Sequence, residues 1–252
     1  MISFHSRSYF WYLSSESESL IALNMNFNDE FDLEDVDEHT RDVVLDRDGD
    51  ACWLCGDTST ASINIAHHIH AAASKHPFPS LKDNGTIAIP HLSHPDNLLP
   101  LCPTCHTKYD STFPEWIMVP DVDTLKQYLE HEKEDYDHRL YISQTSQKFL
   151  PRTLPSIDRT KVLYHPAILS THLDLEMYFK SKWPKHWLGD PTTVIHRAAW
   201  HGLLDSTPVQ PVRLGFGDRA FQWQRGIQPD FQILIGKLIR LWARPVPKGL
   251  RL

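Results

Sequence analysis

The stretch DNLLPLCPTCHTKYD, residues 96–110, decides how this chain is read. It places an apolar run, a Cys-x-x-Cys pair and a histidine within fifteen positions. Pro103 suits the first position of a helix, where a missing N–H costs nothing. A helix after Pro103 would put His106 and Asp110, four apart, on one face. A second pair, Cys52 and Cys55, stands in CWLCG at 52–56. Two x-x-spaced thiol pairs bring sulfurs from two tight turns to the corners of one tetrahedron. Cys52, Cys55, Cys102 and Cys105 are therefore expected to form a closed, structural Zn²⁺ site. A redox pair is the weaker alternative, because the βαβ setting of such a pair is missing here.

Composition bounds the rest. With 252 residues, 41% hydrophobic and 23% charged, the chain can bury a sizeable core in one or two domains. No stretch approaches the roughly 20 consecutive apolar residues of a membrane span. The start, MISFHSRSYFWYL, lacks a cleavage-like pattern, so the expectation is an intracellular protein, nuclear or cytoplasmic and not secreted. Charge is unevenly spread. Residues 1–138 carry 8 Lys+Arg against 25 Asp+Glu, and residues 139–252 carry 17 against 7, within a net charge of -7. The basic half is compatible with a polyanionic partner, or with an ordinary solvated surface.

Along the chain, residues 1–38 read as an acidic, disordered tail, with SSESES and NDEFDLEDVDE lacking any sustained period. Residues 39–142 read as one domain. It opens with a short helical pattern near Val43 and Val44 and a turn at DGD. ASINIAHHIH then predicts a strand, with Ile63, Ile65, His67 and Ile69 alternating onto one face. Residues 71–95 read as a long loop. Residues 121–141 predict an amphipathic helix capped by Asp121 or Asp123, with Val122, Leu125, Leu129, Tyr136 and Leu140 near one face. A linker over 143–156 leads to a basic, mainly helical region, 143–252. Its helices are expected at LSTHLDLEMYFKSKW (169–183) and after Asp230 up to Pro245.

The histidines form a second constellation. His67, His68 and His70 sit in the predicted strand, and His106 directly follows the last cysteine. A clip that joins the two cysteine pairs also brings that strand toward the helix face bearing His106 and Asp110. Imidazoles and a carboxylate around an open divalent ion suit phosphoester hydrolysis: the metal neutralises phosphate charge while a spare histidine deprotonates water. With 16 histidines in the chain, chance clustering is the bland alternative.

The order CWLCG, AHHI, DNLLPLC and CxxCH resembles the HNH endonuclease family and its ββα-metal fold. The likeness spans roughly residues 40–112 and is closest to members with AHI-type and NGLLLC…HxxFD-type motifs. The resemblance implies an α+β fold, a small ββα-metal core with a zinc clip, and DNA as substrate. It implies roles position by position. His68 matches the general base, the preferred assignment, if HHI stands for the usual DHI, which places His67 at a metal-ligand position. An ungapped match instead makes His67 the base and leaves Ala66 where a ligand belongs. Neighbours on a strand face opposite ways, so the strand does not choose between them. Asn97 matches the family asparagine that holds the loop and orients the base, His106 a metal ligand, and Asp110 another ligand or its hydrogen-bond partner. Imidazole donors favour Mn²⁺, Ni²⁺ or Zn²⁺, while the carboxylate admits Mg²⁺. The long gap before Asn97 departs from the family pattern. Two other readings remain: a zinc-stabilised module that binds nucleic acid or protein without catalysis, and a purely structural zinc domain.

Overall fold

In the computed structural model, the described residues are 36–58, 63–70, 78–111, 114–168, 183–200 and 218–244, with backbone alone for 218–229. The acidic stretch 1–35 and residues 169–182 of the helix expected at 169–183 lie outside them. The architecture is mixed α+β, with helices and two small antiparallel sheets. No described helix is long and apolar enough to cross a membrane.

Helix α1 (Glu38–Asp48) starts where the Asp37 side chain accepts from the Thr40 N–H at 2.6 Å. It stops at Gly49, whose φ of 89° is left-handed and whose N–H donates to the Leu45 carbonyl. The first cysteine turn follows. Its Trp53 N–H donates to the Pro100 carbonyl at 2.9 Å, which docks the turn on strand β2 (Leu98–Leu101). Strand β1 (Asn64–His67) pairs antiparallel with β2, with Asn64 opposite Leu101 and His67 opposite Leu98. The strand is shorter than the predicted run, and burial does not follow one face: Ile63, Ala66, His68 and Ile69 are buried, and Ile65 and His67 half-buried, with Ala66 and His68 turned inward. The inward side faces the cysteine core and Trp187, whose ring lies 4.5 Å from that of His68.

The predicted helix after Pro103 is α3 (Pro103–Asp110), with proline at its start. Its 3.6-residue period buries Cys105 and Tyr109 and leaves His106 and Asp110 half-buried on the neighbouring stripe. The segment expected as a long loop or insertion contains a short helix, α2 (Phe78–Asp83), and a satellite core. There Ile69, Ile87, Ile89 and Leu92 pack with Phe78 and Leu81.

The second sheet went unpredicted. Strand β3 (Trp116–Pro120) pairs antiparallel with β4 (Leu163–Ile168), and β4 with β5 (Lys185–His186). All five residues of β3 are buried. Helix α4 (Val122–Ser146) is capped by Asp121, as anticipated, and outruns the predicted end. Leu125, Tyr128 and Leu129 are buried in its first half; further along, the buried positions are Glu132, Asp135, Arg139 and Ser143. Helices α5 (Pro191–Trp200) and α6 (Asp218–Trp242) follow among the described residues, α6 beginning before the expected Asp230. Apolar residues of β3, α4, α5 and α6 share one core. The region expected as a separate helical extension thus supplies two strands to the sheet begun by β3.

Candidate functional site

The cysteines meet first. The sulfurs of Cys52, Cys55, Cys102 and Cys105 all lie within 4.8 Å of one another, and those of Cys55 and Cys102 are 3.9 Å apart. A tetrahedron with zinc–sulfur bonds of about 2.3 Å has edges of about 3.8 Å, so the set fits zinc and is far too open for a disulfide. Several of four thiols this close cannot ionise together without a cation to offset their mutual repulsion. Hydrogen bonds from Cys105 and Cys55 pull the Cys52 thiol down to about 2, while the bond to Cys52 drives Cys105 far up. Lys185 of β5 adds a positive charge beside the cluster. Its Nζ donates to the carbonyls of Trp53 at 2.5 Å and Leu54 at 3.2 Å, inside the Cys52–Cys55 turn.

Behind the clip lies the stripe of α3 that carries His106 and Asp110. His106 Nε2 stands 3.1 Å from Asp110 Oδ2, and His70 Nε2 stands 3.0 Å from Oδ1. An Arg197 guanidinium nitrogen lies 3.4 Å from the same Oδ1. Burial pushes the Asp110 carboxyl up, but the His70 hydrogen bond, Arg197 and the two imidazoles together hold it below the usual aspartate range. The 3.1 Å between His106 Nε2 and Asp110 Oδ2 matches the bite of two cis ligands at about 2.1 Å from one ion, about 3.0 Å. The pair meets directly as a histidine–carboxylate contact, at a spacing that could also span one cation. The wider set is not closed around one point. Among the described residues, the four cysteines are the group of three or more metal-binding side chains whose donor atoms all lie within 4.8 Å of one another.

The adjacent histidines part company. His68 is 2% exposed, its Nδ1 hydrogen-bonded to the Tyr109 hydroxyl and its Nε2 buried with no partner. Burial above all, and then the nearby Arg197 and Arg47 charges, hold its pKa well below the ordinary value, so the ring is neutral and enclosed. His67 is half-buried on the other side of the strand, its ring centroid 5.4 Å from that of His70. Asn97 is fully buried. Its Oδ1 accepts from the Ile69 N–H at 2.9 Å, and its Nδ2 donates to the carbonyls of Ile69 at 2.9 Å and Leu92 at 2.8 Å. It clasps the turn that carries His68, Ile69 and His70.

Sequence reasoning placed His106 and Asp110 side by side on their helix face. It named His70 without giving it a role. Tyr109 and Arg197 went unnoticed as site residues. The tyrosine had a signal, its place between His106 and Asp110, whereas Arg197 lies 87 residues from Asp110 with no motif around it. No family model matches the chain, and no curated protein or solved structure matches it.

Proposed function

We propose that the chain is a metal-dependent endonuclease of the HNH type that hydrolyses DNA phosphodiester bonds. One observation carries the reading: His106 Nε2 and Asp110 Oδ2 stand 3.1 Å apart on one stripe of α3. In this reading His106 and Asp110 hold a divalent ion such as Mg²⁺, Mn²⁺ or Ni²⁺. The ion, when bound, supplies positive charge against the scissile phosphate and the leaving oxygen. Asn97 keeps the histidine turn in place. Water activation is assigned to His67, the base of the ungapped AHHI match, because the His68 ring is enclosed by Tyr109 and Trp187. His68 then becomes a packing residue. The four-cysteine zinc site fastens the hairpin and α3 together, and the basic balance beyond residue 138 supports a polyanionic substrate.

The second reading, a zinc-stabilised binding module without catalysis, draws on the enclosure of His68 and the open spread of the histidines about Asp110. Plasmid nicking separates the two. Wild-type protein is expected to cut with Mg²⁺, Mn²⁺ or Ni²⁺, and His67→Ala and His106→Ala to lose activity by about 10²-fold or more. His68→Phe is expected to keep metal-dependent cutting. DNA binding without cleavage under every metal would sink the nuclease reading and leave the binding module. Loss of cutting in His68→Phe but not His67→Ala would return the base to His68.

A further inference from the structure

Arg197 is the buried charge that this mechanism leaves unused. Its side chain is 2% exposed, and its guanidinium lies 3.7 Å over the Tyr109 ring. One terminal nitrogen donates to the carbonyls of His67 and His68, each at 3.2 Å. The other donates to the Tyr109 carbonyl and reaches Asp110 Oδ1 at 3.4 Å. A single side chain of α5 therefore ties the last residues of β1 to the end of α3. Asp110 is the final residue of that helix, and the backbone leaves helical geometry at Ser111. A carboxylate at a helix end has no following turn to fix its rotamer, and the helix's own terminal carbonyls repel it. Arg197 answers both problems, since it satisfies a terminal carbonyl and brings a permanent positive charge. His70, three residues past the end of β1, bonds the same oxygen at 3.0 Å.

We propose that Arg197 and His70 are positioning residues of the metal site: both engage Oδ1 of Asp110 and so turn Oδ2 toward His106. The proposal rests on the reading of His106 and Asp110 as metal ligands. Carboxylates that bind metal are oriented by such partners, whose removal costs about 10–100-fold in metal affinity. It also gives the C-terminal region a role, because α5 delivers the arginine. Lysine cannot replace it, since one ammonium cannot span two strand carbonyls, a helix carbonyl and a carboxylate in the planar fork that guanidinium offers.

The test is Mn²⁺ binding to the zinc-loaded full chain, read as loss of the free-ion electron paramagnetic resonance signal. Wild type is expected to bind Mn²⁺ at a site that His106→Ala removes. His70→Ala and Arg197→Lys are each expected to weaken that binding about 10–100-fold, with cysteine-bound zinc unchanged and kcat falling more than KM moves. Arg152→Lys is the control. That arginine is equally enclosed but serves Glu132 and the carbonyls of Asn84 and Trp242, so its variant should lower the melting temperature and leave Mn²⁺ affinity alone. Should Arg197→Lys fail to fold, His70→Ala carries the test, because His70 sits nearer the surface. Mn²⁺ affinity within about twofold of wild type in the folded variants overturns the positioning role. If wild type itself binds no Mn²⁺ beyond the cysteine site, the metal reading falls first and takes this proposal with it.

Discussion

Asn97 uses its whole side-chain amide, one acceptor and two donors, on backbone groups that nothing else would satisfy. Its own carbonyl also accepts from the His68 N–H at 2.9 Å. Replacing Asn97 with alanine strands the Ile69 N–H and two carbonyls in a fully buried place. Each orphaned group costs about 1–3 kcal/mol, so a loss of about 3 kcal/mol is expected, visible as a lower midpoint in urea. Asn97→Asp should be no milder, because a carboxylate would face the carbonyls of Ile69 and Leu92 where the amide donated. The resemblance singled out this residue in the sequence; its three bonds to the turn and loop are what the structure adds. The partition between His67 and His68 was not legible there, because it depends on Trp187 and Tyr109, which lie 119 and 41 residues from His68.

At the scale of the element, helix α4 shows what periodicity conveys and what it misses. Its start, cap and first apolar face were readable, since local spacing and one aspartate suffice. Its second half buries charges instead, which no hydrophobic pattern announces. Asp135 accepts from Arg139 Nε at 2.6 Å and from the Thr153 hydroxyl at 2.6 Å, while Glu132 holds Arg139 at 3.3 Å and Arg152 at 3.1 Å. Burial pushes the Asp135 carboxyl up, but the bonds from Thr153 and Arg139 outweigh it and keep its pKa below the ordinary value. A carboxyl depressed in the folded state stabilises fully above its unfolded pKa, about 3.9, and that contribution fades as pH falls through the folded value. Asp135→Asn is therefore expected to cost about 1 kcal/mol at pH 7, a modest figure because asparagine can still accept from Thr153 and Glu132 still faces Arg139. The gap to wild type should close below about pH 4, which thermal melts across pH 2–7 would measure. A gap that held constant with pH would remove Asp135 from the ion network's energetics.

For the whole molecule, the cysteine cluster lies inside the largest core. Cys52, Cys102 and Cys105 pack with Trp116 and Met118 of β3, Tyr164 of β4, Trp187 and Val194. Metal removal should therefore be felt beyond the two turns that hold the sulfurs. A strong chelator, or Cys105→Ser, is expected to abolish the near-ultraviolet circular dichroism of the buried tryptophans and to raise amide exchange in β3 and β4 together with β1 and β2. Structural zinc contributes about 10–16 kcal/mol in small domains, more than the typical stability of a whole domain. Loss of exchange protection confined to residues near the cysteines would show instead that the β3–β5 sheet stands alone.

What the sequence determined by itself was local: the two thiol pairs that predict a tetrahedral metal site, the helix begun by Pro103, the shared face of His106 and Asp110, and the cap of α4. Each follows from spacing within a few residues, where backbone geometry leaves few choices. The tertiary structure decided what depends on distant partners. It formed the β3–β4–β5 sheet from WIMVP, a short apolar run that periodicity cannot tell from a buried helix segment, and from strands over forty residues further on. It enclosed His68 and left His67 at the edge, and it brought Arg197 onto Asp110. Those outcomes rest on packing between segments up to 130 residues apart, and no pattern within one segment encodes its neighbours in space.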